Sequence, residues 1–94
     1  MLKIDVQTES EKTRGWSYIV ALQHDDGTVT EHTVALSWAD HEHWCGGRCP
    51  PSKVVEAVLK YVVDHGTREL PPRFDAATAR RWLPAIDREL RQAL

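Results

Sequence analysis

Hydrophobic and polar positions alternate with two different periods along this 94-residue chain, and the change of period divides it. In the first half the period is two. Leu2, Ile4 and Val6 alternate with Lys3, Asp5 and Gln7, which predicts a half-buried strand. Thr8–Gly15, TESEKTRG, is charged and without periodicity, and reads as a connection. Trp16–Gln23 and Thr28–Ser37 read as two longer strands around His24-Asp25-Asp26-Gly27. A two-residue Asp-Gly turn would set apolar against polar faces. A three-residue loop, Asp25-Asp26-Gly27 with Gly27 left-handed, pairs Trp16 with Leu36, Tyr18 with Val34, Val20 with His32 and Leu22 with Thr30. That register keeps the apolar sets on one face. The outer face then holds Ser17, Ile19, Ala21, Glu31, Thr33 and Ala35.

In the second half the period is helical. Lys53, Glu56, Lys60 and Asp64 recur every three or four positions as one polar stripe. Val54, Val55, Ala57, Val58, Leu59, Tyr61, Val62 and Val63 cover the remaining arc. Five valines are poor helix formers, but this charge spacing fits no strand. Pro51 suits the first turn, Gly66 a left-handed C-cap and His65 the negative end of the helix dipole. A helix apolar over so wide an arc needs cover from a sheet and from flanking helices. Before it, Ser37 caps a short helix, Trp38–Cys45, with Asp40 at the third position approximating a capping box, and Gly46-Gly47 ends it. After it, Leu70-Pro71-Pro72 is a stiff connector, and Asp75 caps a last helical segment. Pro84 predicts a break near Arg81–Leu83 and a second short helix beyond. The expected architecture is one α+β domain over residues 1–94: a three-stranded antiparallel meander followed by three or four helices packed on one face.

Ser37, Gly46-Gly47, Pro51, the Val54–Val63 helix and the tail RFDAATARRWLPAIDREL together resemble a group of short uncharacterised bacterial proteins. In these, N-terminal strands precede a Gly-Gly turn, a Pro-started apolar helix and C-terminal helices. The resemblance implies a fold and carries no activity, and Cys45, Cys49 and the neighbouring histidines stand outside its pattern.

Composition adds bounds. Net charge is −2, with eight acids against four bases before Pro50 and six arginines against four acids after Gly66. Blocks this mild do not make the basic face that nucleic acid requires. No apolar run approaches the roughly 20 residues of a membrane span, and the amino terminus lacks the apolar core of a secretory signal. With two cysteines and no such signal, the expected location is cytoplasmic.

The densest set of potential ligands is His41-Glu42-His43-Trp44-Cys45-Gly46-Gly47-Arg48-Cys49. Imidazole and thiolate are zinc's preferred donors. His41 and Cys45 are four apart and share a helix face, His43 points away, and the glycines could fold Cys49 back, with His65 or another distant histidine as fourth ligand. The plainer reading packs the cysteines as small hydrophobes. Cys45 lies near a helix C-terminus, which disfavours thiolate, whereas Cys49 could feel the positive end of the next helix. Asp25-Asp26 belong to a turn, Asp40 and Asp75 to caps, and Glu56–Lys60 to a surface pair, so no acid–base dyad emerges. Gly46-Gly47 lacks the length and lysine of a phosphate loop. Arg73, Arg80, Arg81, Arg88 and Arg91 give the C-terminal helices a basic side, read as phosphate-binding or as solvated surface. His32 reads as an edge histidine. The favoured function is a non-enzymatic interaction domain without a cofactor, meeting a protein partner or a second copy through Ile19, Ala21, Thr33 and Ala35. The alternatives are a small zinc-binding domain using His41, Cys45 and Cys49, and a nucleic-acid-binding module using the C-terminal arginines.

Overall fold

The computed structural model describes residues 2–66 and 69–94. Three long strands, β1 (Lys3–Lys12), β2 (Gly15–Gln23) and β3 (Val29–Ser37), pair antiparallel in chain order. The helices are α1 (Trp38–Cys45), α2 (Pro51–His65), α3 (Ala79–Trp82) and α4 (Ile86–Ala93). The class is α+β. A fourth strand, β4 (Arg73–Asp75), corrects the expected count: it pairs parallel to β3, with Val34 opposite Phe74. Three residues carry no readable alternation, so the sequence gives such a strand no signature.

The β2–β3 register is the one that keeps apolar faces together: Trp16 faces Leu36, Tyr18 faces Val34, Val20 faces His32 and Leu22 faces Thr30. Gly27 takes the left-handed conformation in the loop (φ 89°), and Asp26 accepts hydrogen bonds from the Thr28 N–H and hydroxyl. The first connection differs from expectation. TESEK is not a loop but the second half of β1, which runs to Lys12, and the chain reverses through Thr13 and Arg14, the latter at φ 62°. A bulge between Val6 and Thr8 explains the lost periodicity. Beyond it Thr8 faces Ile19 and Glu9 faces Tyr18, whose buried phenol donates to Glu9 Oε1 at 2.6 Å.

The core joins Tyr18, Val20, Leu22, Val34 and Leu36 of the sheet to Val54, Val55, Val58, Leu59 and Val62 of α2, with Trp44, Ala76, Ala79, Ile86 and Leu90 filling the flank. Gly66 is not a left-handed cap. Its backbone is extended (φ −85°), and its N–H donates to the Val62 carbonyl at 2.7 Å. A Cβ there would lie 2.5 Å from that oxygen, so close approach explains the glycine. Pro84 acts as expected: α3 stops at Trp82 and α4 begins at Ile86.

His32 is buried rather than an edge residue, and it holds the C-terminal segment to the sheet. A carbonyl only accepts, so Nδ1 donates to Pro71 O (2.7 Å) and the neutral ring presents Nε2 as acceptor. The Thr30 hydroxyl fills it at 2.8 Å and in turn accepts from His24 Nε2, also at 2.8 Å. The Thr33 N–H adds a bond to Pro72 O at 2.8 Å.

Candidate metal centre

Ser37 ends β3 and accepts from the Asp40 N–H at 3.1 Å, starting α1 as the sequence predicts. One turn of α1 sets His41 and Cys45 on the same side. Gly46 and Gly47 are both left-handed (φ 63° and 74°), a pair of conformations that side chains resist, and they reverse the chain so that Cys49 returns. The donor atoms of His41, Cys45 and Cys49 all lie within 4.8 Å of one another. Cys45 is buried; His41 and Cys49 are half-buried.

Hydrogen bonding prepares these groups. His41 Nε2 donates to the Cys49 carbonyl at 2.7 Å, which fixes the tautomer and leaves Nδ1 with the lone pair. The same carbonyl accepts from the Cys45 thiol at 3.8 Å. The ring also stands edge-on to Trp16, centroids 5.3 Å apart. Burial alone would push the Cys45 thiol up. The Cys49 thiol and the backbone N–H groups of Cys49, Gly47 and Arg48 outweigh it and hold Cys45 below the ordinary thiol range. Burial, with Cys45 as hydrogen-bond partner and neighbouring charge, pushes Cys49 up to about 11. The more acidic thiol is thus Cys45, the reverse of the sequence expectation, because the Cys49 thiol first and the amides of the glycine turn second lower it.

His65 does not join the set. It sits at the far end of α2, a 15-residue helix and hence about 22 Å away. There its Nδ1 donates to Tyr61 O and its ring stacks on Tyr61. His43 points elsewhere, its Nε2 3.5 Å from Asp87 Oδ1.

Beside the triad, α1, the glycine turn and α4 enclose a cleft of about 650 Å³, with Cys45 in its wall. The arginines expected to form one basic side are dispersed. Arg88 and Arg91 line this cleft, joined by Arg48 from the turn. Arg73 lies on β4 and Arg81 is exposed on α3. Arg80, expected on the basic side, is instead half-buried and paired with acids. Its Nη2 lies 2.7 Å from Asp40 Oδ1, its Nε donates to Asp87 Oδ1 at 2.7 Å, and its guanidinium covers the Trp44 ring at 4.7 Å. Trp44 Nε1 donates to the same Asp87 oxygen at 2.7 Å. Asp40 therefore works as an ion-pair partner, buried to 8% exposure, in addition to its place in the first turn. The four outer-face residues lie in adjacent rows of the sheet: Ala21 faces Glu31, Ile19 faces Thr33 and Ser17 faces Ala35. Ile19 is 36% exposed. No helix among the described residues is long and apolar enough to cross a membrane. No family model, curated protein or solved structure matches the chain.

Proposed function

We propose that the protein is a small metal-binding domain in which His41, Cys45 and Cys49 hold a zinc-class divalent ion. The carrying observation is the convergence of three soft donors within 4.8 Å. Bonds of about 2.0–2.3 Å in a tetrahedron place donors roughly 3.5–3.8 Å apart. Closing the triad on an ion therefore asks for a contraction of about 1.3 Å at most, within reach of side-chain rotation. A Cys45 thiol held below the ordinary thiol range supports the same reading. Three protein ligands leave a fourth position for water or an added ligand, the arrangement of reactive rather than closed zinc sites. Protein purified without chelator should carry zinc at close to one equivalent. Cobalt substitution should show thiolate-to-metal charge transfer that weakens in Cys45→Ser and in Cys49→Ser. Metal-free protein whose melting temperature does not respond to added zinc would reject the assignment.

A second reading concerns the outer sheet face. Ile19 lies at its centre, flanked by Thr8 and Thr33, and is 36% exposed. Here the domain meets a partner, in the simplest case a second copy, through Ile19, Ala21, Thr33 and Ala35. Sedimentation should show a dimer that Ile19→Lys converts to folded monomer; a monomer at high micromolar concentration removes this reading.

A further inference from the structure

We infer that the cleft between α1 and α4 is a binding site for a phosphate-class oxyanion, such as the phosphate group of a small monoester. Three arginines line it: Arg88 and Arg91, three positions apart on α4, and Arg48 from the glycine turn. Among the described residues none of the three is engaged in an ion pair, in contrast to Arg80. The two acids in the lining are Glu42 and Asp87. Asp87 is already taken up by Arg80 and Trp44. That leaves Glu42 as the acidic group opposing three arginines, with His43 beside them.

The anion's class follows from what these groups can satisfy. A guanidinium fork matches two oxygens, and a monocarboxylate has two to offer. Three arginines lining one cleft suit an anion with three or more acceptor oxygens and a charge near −2, which a phosphate monoester supplies. A volume of about 650 Å³ is in the range of small-molecule sites and exceeds what a bare anion fills. The arginines themselves supply this site, with or without an ion on the neighbouring triad.

The test is calorimetric titration of the full chain with pyrophosphate and with a nucleoside monophosphate at physiological salt, on chelator-treated and on zinc-loaded protein. Saturable one-site binding is expected in both preparations. Arg48→Gln, Arg88→Gln and Arg91→Gln should each weaken it by about tenfold, the effect of losing one charge-assisted pair. Arg81→Gln, an exposed arginine outside the cleft, should leave it unchanged. Absence of saturable binding overturns the inference. So does equal weakening by Arg81→Gln, which would mean diffuse attraction, or binding to zinc-loaded protein alone that the cleft variants do not affect. Binding of a single-stranded oligonucleotide that depends equally on Arg73, Arg81 and the cleft arginines would replace it with a nucleic-acid surface.

Discussion

At the residue scale, one arginine has an influence out of proportion to its exposure. Arg80 neutralises two carboxylates and covers an indole that is itself 1% exposed. Its removal strands Asp40 without a counter-charge in a nearly dry position. Breaking a buried pair on one side costs about 3–5 kcal/mol, and the partial exposure of Arg80 lowers the expectation for Arg80→Met to about 2–3 kcal/mol, read from urea melts. Asp87 should show the same cluster through pH. Burial would raise its carboxyl, but hydrogen bonds from Arg80 and Trp44 and the charges of Arg80 and His43 prevail and hold it below the usual carboxylate range. A depressed folded value stabilises above the unfolded value of about 3.9 and loses that stabilisation as pH falls through the folded one. Asp87→Asn should therefore destabilise the protein at pH 7, and the gap to the unmodified protein should narrow in acid below about pH 4. Parallel stability curves would place Asp87 outside the acid response.

At the element scale, α2 is the piece against which sheet and C-terminal helices both pack. Val58 and Leu59 are fully buried, so truncating either to Ala should cost on the order of 1–4 kcal/mol through lost burial and the cavity left behind. Losses below about 0.5 kcal/mol at both would remove α2 from the centre of the core. This helix was legible because its polar stripe, Lys53 to Asp64, keeps one period for about three turns. The β2–β3 pairing was legible too, since a one-residue slip would turn Tyr18, Val20 and Leu22 outward. The second half of β1 was not. At the bulge the strand changes which face its residues present, and pattern reading assumes an unbroken pleat. Gly66 misled for a related reason: a glycine after a helix signals positive φ by frequency, whereas here it answers to the position of one carbonyl oxygen. In the candidate triad, ligand types and helical spacing were readable, and His41, Cys45 and Cys49 converge. Which thiol is the more acidic was hidden, because it depends on the Cys49 thiol and turn amides that two left-handed residues bring to Cys45.

At the scale of the whole molecule, the antiparallel strands and α2 are built from neighbours in sequence, while residues 69–94 are fastened back across them. Among the described residues the fastenings include His32 to Pro71, Thr33 to Pro72, three residues of parallel pairing, the Arg80–Asp40 and Trp44–Asp87 bonds, and the buried Ala76, Ala79, Ile86 and Leu90. Helices of four and eight residues do not persist alone in water. Once undocked, α3 and α4 have no independent existence, and their backbone amides should exchange with solvent as one set rather than fray singly. That shared opening free energy should lie below the value for β2, and Arg80→Met should lower it while sparing β2. Amides of α4 that exchange at unrelated rates would show the segment is not a unit. If the short parallel strand β4 parts from β3 in the same opening, Arg88 and Arg91 should leave Arg48 together, so exchange at β4 and α4 would also time the cleft.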